Sequence, residues 1–229
     1  MSHATRLASH IERTITGPMW HGPALNDVLD SVEIDHNNFT DDTYTNRNTD
    51  CSFEAGGFKW VTGNVTVENS SIHDNACRGL WVDLNAKNAT IINNQVYNNW
   101  DEGIFIEISS YATITGNTVY NNGWHCYEGA GSGCTWMFGG GIGLLSSDHV
   151  EIANNNVHGN FNGIIGIQED RPDGNPGLLE NVSVHDNSIA GPGGKTGVIA
   201  NNGADLTTRS ITFSNNNISN GMTACGLSC

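Results

Sequence analysis

The residues best placed to do chemistry are Lys59, Asp83 and Glu107, because related strings carry them: AGGFKWV (Ala55 to Val61), GLWVDLN (Gly79 to Asn85) and GIFIEIS (Gly103 to Ser109). GIGLLSS from Gly141, GIIGIQED from Gly163 and GVIANN from Gly197 continue the series. Eleven residues beyond the apolar residues Ile72, Val96 and Val157 stand Asp83, Glu107 and Gln168. Read as strands, these strings point Leu80, Val82, Leu84, Ile104, Ile106 and Ile108 inward, and Trp81, Asp83, Phe105 and Glu107 outward. Lys59 then stands one coil before Asp83, and a cation and two carboxylates form a ladder.

Three chemistries fit such a ladder. A surface ion row would contribute little. Two carboxylates about 5 Å apart suit the acid and nucleophile of a retaining glycosidase, and a wider gap admits an inverting water; a like-charge neighbour would raise one of the two pKa values. In an elimination, Lys59 would abstract a proton while Asp83 and Glu107 hold Ca²⁺ through hard oxygen ligands. The rings of Trp81 and Phe105 flank the acids, either open to a ligand or buried beneath the insertion that follows. That insertion carries Trp124, His125 and Trp136, and a second carries Glu169 and Arg171 directly after Gln168. These eight residues are the candidate binding residues. His73, Tyr97, Tyr120 and His158 follow the apolar corner residues and belong to the repeat pattern first.

What must position these groups is a repeat. Seven segments place a polar residue two positions before an apolar one, at Asn37, Ser70, Asn94, Asn117, Asn155, Asn187 and Asn216. A second Asn follows in four of them, at Asn75, Asn99, Asn122 and Asn160. Alternation never runs beyond about six residues and no helical period is sustained. Such short strands bury their apolar side chains only by stacking in parallel on the coil before. An Asn repeated at one place can hydrogen-bond to its neighbours above and below, and it tolerates the left-handed backbone of a tight corner. The expectation is an all-β, single-domain parallel β-helix of about seven coils, with inserted loops, over residues 32–229. Residues 1–31, with mixed helical spacing, are expected to form a cap or first coil.

The 229 residues include 28 Gly and only 14% charged residues, as suits a turn-rich all-β chain. A formal charge of −15 with nine Lys and Arg argues against nucleic acid as partner. No apolar run is long enough to span a membrane. The six cysteines suggest the pairs Cys51 with Cys77, Cys126 with Cys134, and Cys225 with Cys229, and hence an oxidising, secreted location.

The strings EAGGFKW, IHDNACRGLWVDLN, NNWDEGIFIEIS and NGIIGIQEDR resemble a secreted bacterial subgroup of the pectate-lyase-like superfamily of right-handed parallel β-helix proteins. That resemblance implies a right-handed solenoid and a polysaccharide or glycan partner, with glycosidic bonds cleaved by hydrolysis or β-elimination. The alternative it leaves is a non-catalytic, glycan-binding or assembling β-helix. The polygalacturonase pattern of Asn-Thr-Asp, Asp-Asp and Gly-His-Gly is absent, as is the Arg-rich signature of pectate lyases.

Overall fold

The computed structural model describes residues 5–6, 10–12, 19–39, 51, 55–127, 138–170, 177–201 and 203–229. The chain winds as a parallel solenoid with three faces. The first face stacks the beginnings of Met19–Asp30 and Gly56–Glu68 with Arg78–Val82, Ile104–Glu107, Gly140–Leu145, Asn162–Gln168, Lys195–Ala200 and Thr223–Gly226. The second continues from the ends of the two long strands through Thr90–Ile92, Thr113–Thr115, Asp148–Ala153, Glu180–His185 and Ile211–Ser214. The third is an eight-stranded sheet running from His10–Glu12 to Asn217–Ser219. Described residues before Val32 supply strands, so the mixed helical spacing there is overridden by pairing with the next coil.

Register explains the core. Ile34, Ile72, Val96, Val119, Val157 and Ile189 stand above one another on the third face, and Val67, Ile91, Ile114, Ile152 and Val184 on the second. All of them are buried. Each is worth about 1.5–3 kcal/mol relative to exposure, which no isolated three-residue strand could gain.

Two polar ladders run beside this core. Ser70, Asn94, Asn117, Asn155, Asn187 and Asn216 form one, with amide contacts such as Asn94 Nδ2 to Asn117 Oδ1 at 3.0 Å. Asn37, Asn75, Asn99, Asn122 and Asn160 form the other, with contacts of 2.8–2.9 Å. Asn37 therefore belongs to the second ladder, not the first, and Val32 is the residue that aligns with Ser70. The left-handed backbone also falls elsewhere than expected. It is taken by the residue just before each ladder position: Asn69, Asn93 and Asn154 in the first ladder, His36, Asp74, Asn98 and Asn121 in the second. One Asn turns the corner and the next enters the ladder, which is why pairs of Asn recur. The ladder in turn explains the glycines that open the first-face strings. A Cβ on Gly79 would lie 2.8 Å from Asn99 Nδ2 and 2.5 Å from Gly103 O.

Candidate active site

Lys59, Asp83 and Glu107 come together on the outer side of the first face, though not in the straight column expected. Lys59 is in register with Trp81, which is in register with Phe105, while Asp83 lies two residues further along. The Lys59 side chain runs diagonally across the Trp81 indole, its Nζ 3.5 Å from the ring centroid, and reaches Asp83 Oδ2 at 2.8 Å. Asp83 Oδ1 accepts the Leu84 backbone N–H at 2.6 Å, and Glu107 Oε2 accepts the Trp81 indole N–H at 3.1 Å. The three are nearly enclosed, at 2% exposure for Lys59, 4% for Asp83 and 8% for Glu107. Both Asp83 oxygens are engaged and an ammonium stands against one of them, so this donor set does not fit Ca²⁺. Among the described residues no group of three or more His, Cys, Asp or Glu suits a metal.

Trp81 and Phe105 point outward, as alternation requires, but they are not an open platform. Their rings meet edge-on at 6.3 Å and join Leu145, Ile165 and Ile167 in a second apolar cluster, with Phe138 packed against it. The Arg78 guanidinium covers them, 4.5 Å from one ring and 4.6 Å from the other. Burying flat apolar rings beneath a cation gains area and cation–π attraction at once. Leu84 is the other reversal. It is 45% exposed, because the strand ends at Val82 and Leu84 and Asn85 both adopt positive φ, so alternation stops.

Arg78, which the sequence reading passed over, links this cluster to a second set of charges. Its Nε lies 3.1 Å from Glu102 Oε2 without hydrogen-bond alignment, its second nitrogen is 3.7 Å from Asp101, and it donates to Cys51 O at 2.8 Å. Burial alone would lower the Arg78 pKa, but Asp101 and Glu102 raise it. Glu102 is pushed up to about 8, first by burial and then by the Asp101 charge, against the opposing pull of Arg78. Its other oxygen accepts the Gly139 backbone N–H at 2.8 Å. The only signal for this set was WDEG beside the ladder residue Asn99, legible once the register is known.

The remaining predicted binding residues disperse. Gln168 aligns with Ala200, not with Glu107, whose column continues through Leu145 to Ile167. The Gln168 amide is spent on backbone: it accepts Leu179 N–H at 2.7 Å and donates to Gly177 O at 3.3 Å, closing the base of the second insertion. Glu169 is half-buried, its backbone bonded to the Ser146 hydroxyl. His125 Nδ1 lies 3.1 Å from Trp100 O and 3.3 Å from Asp101, and Nε2 lies 3.3 Å from Cys126 Sγ, so its ring is tied into the wall. Trp124 faces a different corner. Trp136, Arg171 and Cys134 lie outside the described residues. Cys51 is bonded to Cys77 and Cys225 to Cys229, and Cys126 is also in a disulfide.

No curated protein sequence matches the chain. An alginate lyase from Paenibacillus sp. str. FPU-7 is similar at 13% identity and a TM-score of 0.38, covering 97% of this chain and 100% of that one. A DFA-IIIase from Arthrobacter chlorophenolicus A6, in complex with DFA-III, is similar at 11% identity and a TM-score of 0.38. The match takes in 87% of this chain but 55% of the DFA-IIIase, so the chain spans about half of that protein. Likeness at this level carries no argument about chemistry. A profile of the right handed beta helix region, however, matches residues 11–165, well over half of the 229, and the chain belongs to that right-handed β-helix family.

Proposed function

We propose that this protein is a secreted carbohydrate-active β-helix enzyme that hydrolyses glycosidic bonds of a polysaccharide, with Glu107 as proton donor and Asp83 as the charged carboxylate paired to Lys59. The observation that carries this reading is the gathering of Lys59, Asp83 and Glu107 from three successive coils around the Trp81 indole. Burying such charges is a poor route to stability, and the fold does not need them, since the Glu107 column continues as Leu145 and Ile167. Charged groups held at such cost are candidates for function. Hydrolysis is preferred over elimination because a neutral Lys59 would leave the buried Asp83 carboxylate unpartnered. The disulfides support an oxidising, extracytoplasmic location.

A second reading, non-catalytic glycan binding or assembly, is favoured by the near-complete enclosure of the three groups. A panel of neutral and acidic polysaccharides, with and without Ca²⁺, separates the alternatives. New reducing ends without ultraviolet absorbance, lost in Glu107→Gln, establish the hydrolase. Ultraviolet absorbance dependent on Ca²⁺ and Lys59 would establish a lyase, and no product on any substrate would leave the binding reading.

A further inference from the structure

At the corner between the third and first faces, the left-handed residues His36, Asp74 and Asn98 occupy equivalent places on successive coils, each just before a residue of the second ladder. Together with Phe39, Trp100 and Trp124 they line a hollow of about 210 Å³. This is below the roughly 300 Å³ of a drug-sized pocket and leaves room for about one sugar ring. The corner of the first ladder repeats the same left-handed turn at Asn69, Asn93 and Asn154.

We infer that this hollow is a binding subsite for one pyranose unit that carries no negative charge, separate from the Lys59, Asp83 and Glu107 cluster. Trp124 leaves 41% of its surface to solvent, an unusual exposure for an indole beside polar groups. The C–H faces of a sugar pack on such rings, while its hydroxyls need partners of the kind Asp74 and Asn98 provide. Asp74 is fixed by His73 Nδ1, 2.7 Å from its Oδ2, and the His36 imidazole is fixed by Asp35 at 2.5 Å. The polar groups are therefore preorganised. The neighbouring ring stack of His73, Tyr97, Tyr120 and His158, at 4.6–5.2 Å, turns its faces on itself, so it braces the hollow and does not extend it. With Asp74 on the rim and a chain charge of −15, a uronate is disfavoured.

This inference stands independently of glycosidic cleavage. The test is a nuclear magnetic resonance titration of the Glu107→Gln protein, following the Trp124 indole N–H, identified by its loss in Trp124→Phe. The probes are tetrasaccharides of glucose, glucosamine and galacturonic acid. The expected result is a saturating shift of Trp124 with glucose or glucosamine units, at least fivefold weaker in Asp74→Ala, and none with galacturonic acid. A Trp124 signal unmoved by all three, or moved as strongly by galacturonic acid, overturns it. Movement of the Trp81 signal alone would overturn it while leaving the proposed function standing.

Discussion

The outer side of the first face has two halves built on one backbone register. In the earlier coils its columns carry Lys59, Trp81, Asp83, Phe105 and Glu107. In the later coils the same columns carry Gly143, Leu145, Ile165 and Ile167. Both halves are buried, and the core behind both is apolar, with Phe58 and Trp60 in the first of these coils and aliphatic side chains after them. The later half therefore serves as an internal control. A β-helix of this register is content with Leu and Ile on its covered outer face, where each contributes transfer energy and leaves no charge to desolvate. The earlier half carries ions in columns that later coils fill with apolar residues, and the proposed function rests on that difference.

The largest expected effect is on activity. Glu107→Gln is expected to lower the rate of reducing-end formation by about 10²–10⁴, the range for loss of a general acid or base. An unchanged rate would remove Glu107 from the site. In thermodynamic terms, Lys59→Met alone should cost about 3–5 kcal/mol in denaturant unfolding, because Asp83 is left buried without its partner. The double variant Lys59→Met/Asp83→Leu should recover most of that, as the later half implies; a double variant as unstable as the single would show the ions to be structural. Ile167→Ala, in the later half, should cost about 2–5 kcal/mol through lost transfer energy and the cavity left behind. Its rate per folded molecule should stay the same.

The smallest effect concerns pH. The folded protein keeps the Glu102 proton up to about pH 8, whereas the unfolded chain releases it near its ordinary 4.5. The stability Glu102 contributes is therefore complete below about 4.5 and is lost as pH rises toward about 8. Melting temperatures across that window should slope downward in the parent and more gently in Glu102→Gln. The raised His73 value, where bonds to Asp74 and Glu33 outweigh burial, acts in the same direction and should persist in both.

Much of this was legible in the residues. Period-two apolar triplets and recurrent Asn dictate parallel stacking, because neither has another way to satisfy its side chains, and the cysteine spacing anticipated the Cys51 to Cys77 and Cys225 to Cys229 bonds. The same repeat drew Lys59, Asp83 and Glu107 to one outer surface, since parity of position along a strand decides which face a side chain takes.

Register and coverage were decided only by the tertiary structure. Counting from corners shifted Gln168 by one residue, and a one-residue slip exchanges faces and columns entirely. Leu84 left the core because the strand ended before it, a matter of backbone φ that alternation cannot carry. Trp81 and Phe105 were correctly pointed outward, yet lie covered by Arg78 and Phe138, and the cluster of Arg78 with Asp101 and Glu102 was invisible until the coils were aligned. Direction along a strand is a local property and is written in the sequence. What lies over an outward side chain depends on residues brought there from distant positions, and only the folded chain brings them together.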